Sequence, residues 1–426
     1  MRIINSSRKI WGFALILALS AMFSVQAAER DLATVTPEQV GLSTEGLGKL
    51  TEAMNKAVDD GNLAGIVTMV ARKGQIAHYE SYGYQDLENQ VPMQKDTIFR
   101  IFSMTKPVTG VALMMLHEEG KFSLDDAVEN HIPEFADLQV AKEDGPDGMP
   151  ITEPQNHKMT VRELMSHTGG LTYGLFSRSQ VDTLYVQANV LDSNSTLKQM
   201  IDKLAKIPLR QQPGSAWHYS LSVDVQGYLV EVLSGQTFDQ FLQERIFTPL
   251  NMKDTGFHVA ADKHHRFSRE YTSGPNGLSS PVNAEFLQPP AFHGGGGGLT
   301  STMDDYIRFA QMVANGGELN GVRILKPESV ALMSQNQLPA GMAEIGGYPG
   351  NQFGLDFAVV VDSERNDGMS PGSFWWWGIA GTWFWIDPVE DLVFIGMIQN
   401  RNLGYARQLQ GLSKRLVYGA VTESYK

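Results

Sequence analysis

The sequence predicts an α/β (α+β) fold: one antiparallel sheet built from both chain ends with flanking helices, plus an inserted, mainly helical lobe. Strand-like patterns cluster near both termini, helical patterns fill the middle, and loops rich in Pro, Gly, Asn and Asp separate them. We therefore expect an α/β domain over residues 28–99 and 295–426 and a mainly helical domain over residues 100–294.

The N-terminal segment has the pattern of a secretory signal peptide. Basic residues, the last of them Lys9, precede an apolar run over 10–23, and small residues allow cleavage between Ala27 and Ala28. The apolar run is shorter than the roughly 20 residues that span a bilayer. We expect residues 1–27 to be removed and the mature protein to be exported, periplasmic or secreted, without a stable membrane anchor.

The predicted elements near the N-terminus are a helix, a hairpin and a second helix. The first helix begins near Ser43 and Thr44. Strands over 66–70 and 76–79 are joined by a turn at Lys73-Gly74. Apolar spacing predicts a buried amphipathic helix over 106–119, ended by Gly120.

Strands dominate the predicted C-terminal part. We expect them over 355–361, 374–377, 382–386 and 392–397, with a final helix over about 403–418. The glycine run 294–298 is interpreted as a loop before a helix that Ser301 and Asp304 could cap.

Composition restricts the chemistry. With 42% hydrophobic residues the chain can bury a large core, and without cysteine it has no disulfide, thiol nucleophile or thiolate metal ligand. A formal charge of −13 opposes binding to nucleic acid or anionic lipid. No H-E-x-x-H pattern occurs. We expect a small-molecule substrate and neither cofactor nor metal; these features do not define an oligomeric state.

Two incompatible serine motifs are present. The segment Gly368-Met369-Ser370-Pro371-Gly372 matches the G-x-S-x-G elbow, in which the residue after the serine donates its backbone N–H to an oxyanion. Pro371 has no N–H to donate. The elbow also needs a later histidine, whereas the last one is His293. Ser370 is therefore interpreted as a loop residue.

The S-x-x-K pattern occurs three times, and context distinguishes the copies. Ser6 lies in the predicted signal peptide, and Ser195 begins an ordinary solvated helix. Ser103 precedes a long apolar helix and has Lys106 one turn further on, on the same face. A serine hydroxyl needs a neighbouring base, and a lysine with a lowered pKa can serve. Ser103 is predicted to be the nucleophile and Lys106 its base.

Further motifs follow in order: Pro107-Val108-Thr109-Gly110, then Leu-Met-Ser-His-Thr-Gly-Gly-Leu over 164–171, then Pro213-Gly214 leading to Tyr219-Ser220. With the Ser103 tetrad, they resemble the serine β-lactamase and penicillin-binding-protein superfamily. The closest resemblance is to class C β-lactamases and family VIII carboxylesterases, and it covers nearly the whole mature chain. It implies their fold, with the active site between the two domains.

The resemblance also implies roles for other residues. Tyr219 would be a general base with the lysine, although from the residues alone it could equally be a packed aromatic. Leu221 stands where the family motif Tyr-x-Asn has asparagine, a departure shared with the esterase branch. The backbone N–H groups of Ser103 and Ile379 would form the oxyanion hole.

The family's Lys-Thr-Gly motif is replaced by Trp376-Trp377-Gly378. The cleft thereby loses a cation and gains apolar surface, which favours neutral esters. Trp376, Trp377, Gly378 and Ile379 are the predicted substrate-binding residues, and at least one residue of Trp375–Trp377 is expected to pack in the core.

The predicted function is thus a serine carboxylesterase. The alternatives are a β-lactamase or D-amino-acid peptidase (DD-carboxypeptidase) acting on cell-wall-like amides, or a catalytically silent binding protein of the same fold. His167 and His218 have no acidic partner at a telling spacing and are interpreted as structural.

Overall fold

The computed structural model describes residues 32–274, 277–280, 285–342 and 344–426. The predicted signal peptide, residues 1–27, lies outside them. The α-helices of the described chain are α1 (Thr44–Asp59), α2 (Thr105–Glu118), α3 (Val161–Met165), α4 (Gln180–Gln187), α5 (Leu197–Leu204), α6 (Ser222–Ser234), α7 (Phe238–Leu242), α8 (Met303–Ala314), α9 (Pro327–Met333) and α10 (Leu403–Gly419).

The strands come from both ends of the chain. In order they are β1 (Gly65–Arg72), β2 (Gln75–Asp86), β3 (Val91–Pro92), β4 (Phe99–Arg100), β5 (Gln139–Glu143), β6 (Ile151–Pro154), β7 (Thr272–Gly274), β8 (Gly277–Ser279), β9 (Thr300–Ser301), β10 (Glu318–Leu319), β11 (Val322–Arg323), β12 (Asn351–Phe353), β13 (Ala358–Val360), β14 (Phe374–Trp377), β15 (Trp383–Asp387) and β16 (Leu392–Met397).

Within the described residues the main sheet has eight strands in the order β12-β13-β14-β15-β16-β1-β2-β3. Its strand pairs are antiparallel, and β1 from the N-terminal part lies between β16 and β2. The sheet therefore combines strands from opposite ends of the sequence, which confirms the predicted fold class.

Helices cover both faces of the sheet. Alternate side chains of β15 point in opposite directions. The Trp383 indole donates to Ser413 of α10 at 3.2 Å, whereas the Phe384 ring lies 5.3 Å from that of Tyr306 on α8. Because both faces of the sheet are packed, β15 and β16 are buried along their whole length. The sequences of these two strands are therefore almost entirely apolar.

Helix ends follow local hydrogen bonding. Ser43 caps α1, as predicted, by accepting from the backbone N–H of Gly46 at 3.1 Å. The predicted cap of α8 was wrong: Thr302 caps it by accepting from the N–H of Asp305 at 3.2 Å. Ser301 is instead the end of β9, where it pairs with Phe99.

Helix α2 is buried from Thr105 to Leu116, on every face rather than on one. The predicted helix over 106–119 is confirmed, but its amphipathic character is not. It packs against α6 of the helical lobe and is joined to β4 by a short turn. Its buried position brings Lys106, 0% exposed, into the interior.

The middle of the chain contains α3 to α7 with two short hairpins, β5–β6 and β7–β8. Its mainly helical character agrees with the sequence pattern, while the division at residues 99/100 and 294/295 stays a prediction. In the part of the chain that the structure describes, no helix has the length and apolar character needed to cross a bilayer.

Candidate active site

Ser103 lies in a tight turn between β4 and α2. The turn is a 3₁₀ segment, Phe102–Met104, immediately before the first residue of α2. Phe102 has a φ of +42°, in the left-handed region that non-glycine residues rarely occupy. A strained turn of this kind holds the serine at the helix entrance rather than inside the helix.

The structure brings the three predicted catalytic residues together. The Tyr219 hydroxyl donates to Ser103 Oγ at 2.7 Å, and Lys106 Nζ donates to the same oxygen at 3.2 Å. Ser103 and Tyr219 are 116 positions apart in the sequence, so only the fold can create this contact. A serine hydroxyl between two proton-transfer groups is the arrangement that nucleophilic catalysis requires.

Lys106 Nζ forms three hydrogen bonds. Besides Ser103 Oγ, its Nζ donates to the Tyr173 hydroxyl at 2.9 Å and to the Gly296 carbonyl at 2.6 Å. Nζ also lies 4.7 Å from the centre of the Tyr219 ring. The side chain is thus fixed in one position, which excludes the solvent-facing conformation usual for helix lysines.

Tyr173 and Gly296 were not predicted as site residues. The glycine run was interpreted as a loop, and it is one, but it packs closely against the helices. A Cβ at Gly295 would come within 2.4 Å of the Val223 carbonyl, and one at Gly296 within 2.6 Å of an Asp224 oxygen. Consecutive glycines that permit such close backbone approach were the available signal.

Two buried carboxyl groups lie behind the lysine. Asp224 accepts from the Gly296 N–H at 2.9 Å and thereby holds the carbonyl that receives Lys106. Burial raises the pKa of Asp224, and the nearby Lys106 charge opposes this. Burial also raises the pKa of Asp356 well above its usual range, against a hydrogen bond from Gln226.

Tyr219 is surrounded by aromatic rings. Their centroids lie 5.0 to 6.2 Å from its own and belong to His167, Tyr173, Phe176, Trp217 and Trp376. Burial holds the pKa of His167 well below its ordinary value, so this imidazole is neutral. It interacts with the hydroxyls of Ser220 and Ser222, which agrees with a structural role.

The three consecutive tryptophans have different surroundings. Trp375 donates its indole N–H to Asn351 at 2.8 Å, and Trp377 donates to the Tyr348 hydroxyl at 2.7 Å. Trp376 is the member that contacts Tyr219, with ring centroids 5.4 Å apart. A buried indole, 3% exposed, therefore packs beside the tyrosine. The family resemblance implies that this position corresponds to the cation of the Lys-Thr-Gly motif.

Gly378 and Ile379 follow β14 in a turn held against the segment before Ser103. The Thr382 hydroxyl donates to the Ile101 carbonyl at 3.2 Å. A Cβ at Gly378 would lie 2.3 Å from that same carbonyl oxygen, so only glycine fits. The residue that this turn contacts, Ile101, precedes the nucleophile Ser103 by two positions. Leu221 is fully buried, and its side chain has no amide donor.

The rejected serines have other partners. Ser370 donates to Asp387 at 2.7 Å, and Ser195 donates to the Asp192 carbonyl at 2.8 Å. Lys198 forms ion pairs with Glu134 and Asp202. Ser195 also accepts from Lys203 Nζ, at 3.4 Å, but within the described residues neither serine combines a lysine with a tyrosine as Ser103 does. Within the described residues, no group of three or more His, Asp or Glu residues is arranged to hold a metal ion.

Comparison with known proteins identifies the family of this chain. The Beta-lactamase family model matches residues 50–412. The chain is 35% identical over 359 residues to Protein Rv1367c of Mycobacterium tuberculosis, covering 82% of this chain and 88% of that protein. It is 31% identical over 376 residues to Esterase EstB of Burkholderia gladioli, covering 83% and 90%.

Among solved structures, EstCE1, described as a hydrolase with promiscuous acyltransferase activity, superposes with a TM-score of 0.74 at 25% identity. The match covers 87% of this chain and 99% of EstCE1. Sequence and structure thus agree over most of the described chain, and the protein belongs to the β-lactamase family.

Proposed function

We propose that this protein is a serine hydrolase that cleaves carboxylic esters through an acyl-enzyme on Ser103. The observation that carries the proposal is the convergence of Tyr219 and Lys106 on Ser103 Oγ, at 2.7 and 3.2 Å. Both distances are within the reach that direct proton transfer needs.

In the first step the Tyr219–Lys106 pair lacks one proton; Ser103 Oγ attacks the ester carbonyl carbon and gives its proton to this pair. The carbonyl π electrons move to the oxygen, which becomes the oxyanion. As the tetrahedral intermediate collapses, the C–O bond to the alcohol breaks and the pair returns the proton to the departing alkoxide. Water then attacks the acyl-enzyme with the same pair as base, releasing the acid and restoring Ser103.

The backbone N–H groups of Ser103 and Ile379 are the proposed oxyanion donors. The turn after β14 supports this role, because Gly378 and Thr382 hold it against Ile101. Trp376, Trp377 and Gly378 would complete the substrate-binding surface beside Ile379. Donors fixed by the fold before the reaction need no reorganisation when the charge develops.

Esters are favoured over lactams and peptides by the aromatic surroundings of Tyr219. Trp376 supplies an apolar ring 5.4 Å from it instead of a cation for a substrate carboxylate. The relative Esterase EstB is named as an esterase, which supports the same choice. β-Lactamase or D-amino-acid peptidase activity is the alternative that this fold accommodates.

An exported location completes the proposal. Residues 1–27 would be removed as a signal peptide, which gives a periplasmic or secreted enzyme that meets small-molecule esters outside the cytoplasm. The acidic charge of −13 supports a neutral substrate rather than nucleic acid.

The test compares p-nitrophenyl acetate and butyrate with nitrocefin and a D-Ala-D-Ala peptide. We expect ester turnover by the wild type and its loss in Ser103→Ala. Ser195→Ala is a matched control, because this serine belongs to the same S-x-x-K pattern but has no tyrosine partner. Ester turnover that survives in Ser103→Ala would reject the nucleophile, and lactam or peptide turnover without ester turnover would reject the substrate class.

A further inference from the structure

Two exposed apolar side chains lie at the outer edge of the aromatic cluster around Tyr219. Leu175 is 67% exposed and Phe176 is 57% exposed. The Phe176 ring lies 5.9 Å from that of Tyr219 and 5.5 Å from that of Tyr173. Single exposed apolar residues are common, but an adjacent pair, one member of which contacts Tyr219, forms a patch that water wets poorly. Leu175 and Phe176 are called the apolar rim below.

The apolar rim is held in place at its base. Asp182, 2% exposed, accepts from Thr172 Oγ1 at 2.5 Å on one side of the rim. On the other side it accepts from Ser177 Oγ at 2.5 Å and Ser179 Oγ at 2.7 Å. Because one buried carboxylate binds both ends of the loop, Leu175 and Phe176 stay outward instead of collapsing into the core.

The apolar surface continues inward from the rim. Trp217 stacks on Tyr219 with centroids 6.2 Å apart, and Phe353 lies 5.6 Å from Trp217 and 5.4 Å from Trp376. Phe353 and Trp376 are 0% and 3% exposed and support the wall from the core. The accessible aromatic wall consists of Phe176 and the half-buried rings of Tyr173, Trp217 and Tyr219, the tyrosine that contacts Ser103. Such a wall binds hydrocarbon through surface burial and ring contacts.

The mechanism indicates which part of an ester meets this wall. The Tyr219–Lys106 pair returns the proton to the departing alkoxide, so the alcohol oxygen must lie beside the Tyr219 hydroxyl when the bond breaks. The carbon chain attached to that oxygen then extends along the rings that surround Tyr219. The acyl chain lies on the other side of the carbonyl carbon.

We infer that the apolar rim binds the alcohol portion of the substrate, so that the enzyme selects esters of large apolar alcohols. This inference rests on the proposed ester hydrolysis. Each methylene moved from water to an apolar wall is worth roughly a fourfold gain in binding. The preference over a methyl ester should therefore grow with the alcohol until the chain passes Phe176.

The test uses two substrate series followed by pH-stat titration, one with a fixed acyl group and one with a fixed alcohol. The alcohol series is methyl, butyl and hexyl butyrate, and the acyl series is methyl acetate, butyrate and hexanoate. For the wild type we expect kcat/KM to rise along the alcohol series. In Phe176→Ala the hexyl-to-methyl ratio should fall by roughly fivefold, with the acyl series unchanged.

Two controls separate rim contact from a general loss of structure. Phe176→Leu keeps apolar bulk and should retain most of the hexyl-to-methyl ratio. Val232→Ala removes a comparably exposed apolar side chain from α6, 42% exposed, and should change neither series. Equal losses in both series, or a change confined to the acyl series, would overturn the inference.

The failure of this inference is distinguishable from the failure of the proposed function. If the wild type hydrolyses no ester of either series, ester hydrolysis itself is wrong and the rim assignment falls with it. If the wild type hydrolyses both series but Phe176→Ala leaves the hexyl-to-methyl ratio unchanged, only the rim assignment is wrong.

Discussion

Lys106 illustrates how a few neighbours can determine the position of a catalytic side chain. Its three donors go to Ser103, Tyr173 and the Gly296 carbonyl, and the Gly296 amide is in turn bound by Asp224. Asp224 therefore acts on the lysine through a single residue, Gly296, whose N–H it binds and whose carbonyl receives Lys106. We interpret it as a positioning residue and expect its effect to appear in turnover rather than in substrate binding.

Substitution of Asp224 tests this interpretation. Asp224→Asn keeps an oxygen acceptor for the Gly296 N–H, whereas Asp224→Ala leaves that buried N–H without a partner. We expect kcat for a p-nitrophenyl ester to fall about tenfold in the first variant and about a hundredfold in the second, with KM nearly constant. Equal losses in both variants, or a change confined to KM, would contradict the positioning role.

Tyr219 and Tyr173 both contact the Ser103–Lys106 pair, but only Tyr219 reaches Ser103 Oγ. Tyr219→Phe should therefore lower kcat by about a hundredfold to ten-thousandfold, the usual range for loss of a general acid–base group. Tyr173→Phe removes one acceptor from the lysine and should cost about tenfold. Stopped-flow measurement of the p-nitrophenol burst distinguishes slow acylation from slow hydrolysis in each variant, and the reverse ranking would refute the assignment.

Site residues close together in the sequence could be predicted more readily than residues that only the fold brings together. Ser103 and Lys106 are one helical turn apart, so spacing and apolar context sufficed to select them from three S-x-x-K copies. Tyr219 could be identified only by family resemblance, because its contact spans 116 positions. Tyr173 lies 67 positions from Lys106 and carries no local motif. Gly296 lies 190 positions away, and its glycine run indicates close backbone approach but not contact with Lys106.

At the level of elements, long strands with strong patterns were predictable and short ones were not. The predicted ranges 374–377 and 392–397 match β14 and β16. The two-residue strands β4 and β9 pair Phe99 with Ser301, but two residues cannot display an alternating pattern. Because this pairing places Ser301 in a strand, the next residue, Thr302, caps α8 instead.

Asp182 determines the loop that carries the apolar rim. Burial raises its pKa, but hydrogen bonds from Ser177, Thr172 and Ser179 outweigh burial and hold the pKa well below the usual carboxyl range. A lowered pKa in the folded state stabilises the protein above the unfolded-state pKa of about 3.9. This contribution decreases as the pH falls through that value toward the folded-state pKa.

Asp182→Asn should therefore lower the free energy of unfolding at pH 7 by about 2 kcal/mol, because an amide replaces one acceptor oxygen with a donor. Urea denaturation of both proteins between pH 7 and pH 3 should show the difference shrinking at the acidic end. A difference that grows with acidity would mean that the Asp182 carboxylate does not carry this contribution. The rim should also lose order, which would reduce the hexyl-to-methyl ratio.

At the level of the whole molecule, both ends of the chain must meet before the sheet is complete. The prediction of a sheet built from both termini is confirmed by β1 between β16 and β2. The sequence could not give the order of the remaining strands, because that order depends on contacts between segments more than 300 positions apart, such as Val67 with Met397.

Arg72, at the end of β1, forms polar contacts that join the two ends of the chain. It is fully buried, and its guanidinium forms an ion pair with Glu390 at 2.7 Å. It also donates to the carbonyls of Val40, Gly41 and Glu423, at 3.1, 2.8 and 2.6 Å. One side chain thus connects the segment before α1, the turn before β16 and the C-terminal segment.

Removal of only one partner should be more harmful than removal of both. Arg72→Met leaves the Glu390 carboxylate buried, 1% exposed, without its cation and should lower the free energy of unfolding by about 3–5 kcal/mol. In the double variant Arg72→Met/Glu390→Leu no buried charge is left unpaired, so part of that loss should be recovered. Urea denaturation of the wild type, both single variants and the double variant measures the coupling. A double variant whose loss equals the sum of the single losses would show that the two ends are held by packing alone, with no energetic coupling through this ion pair.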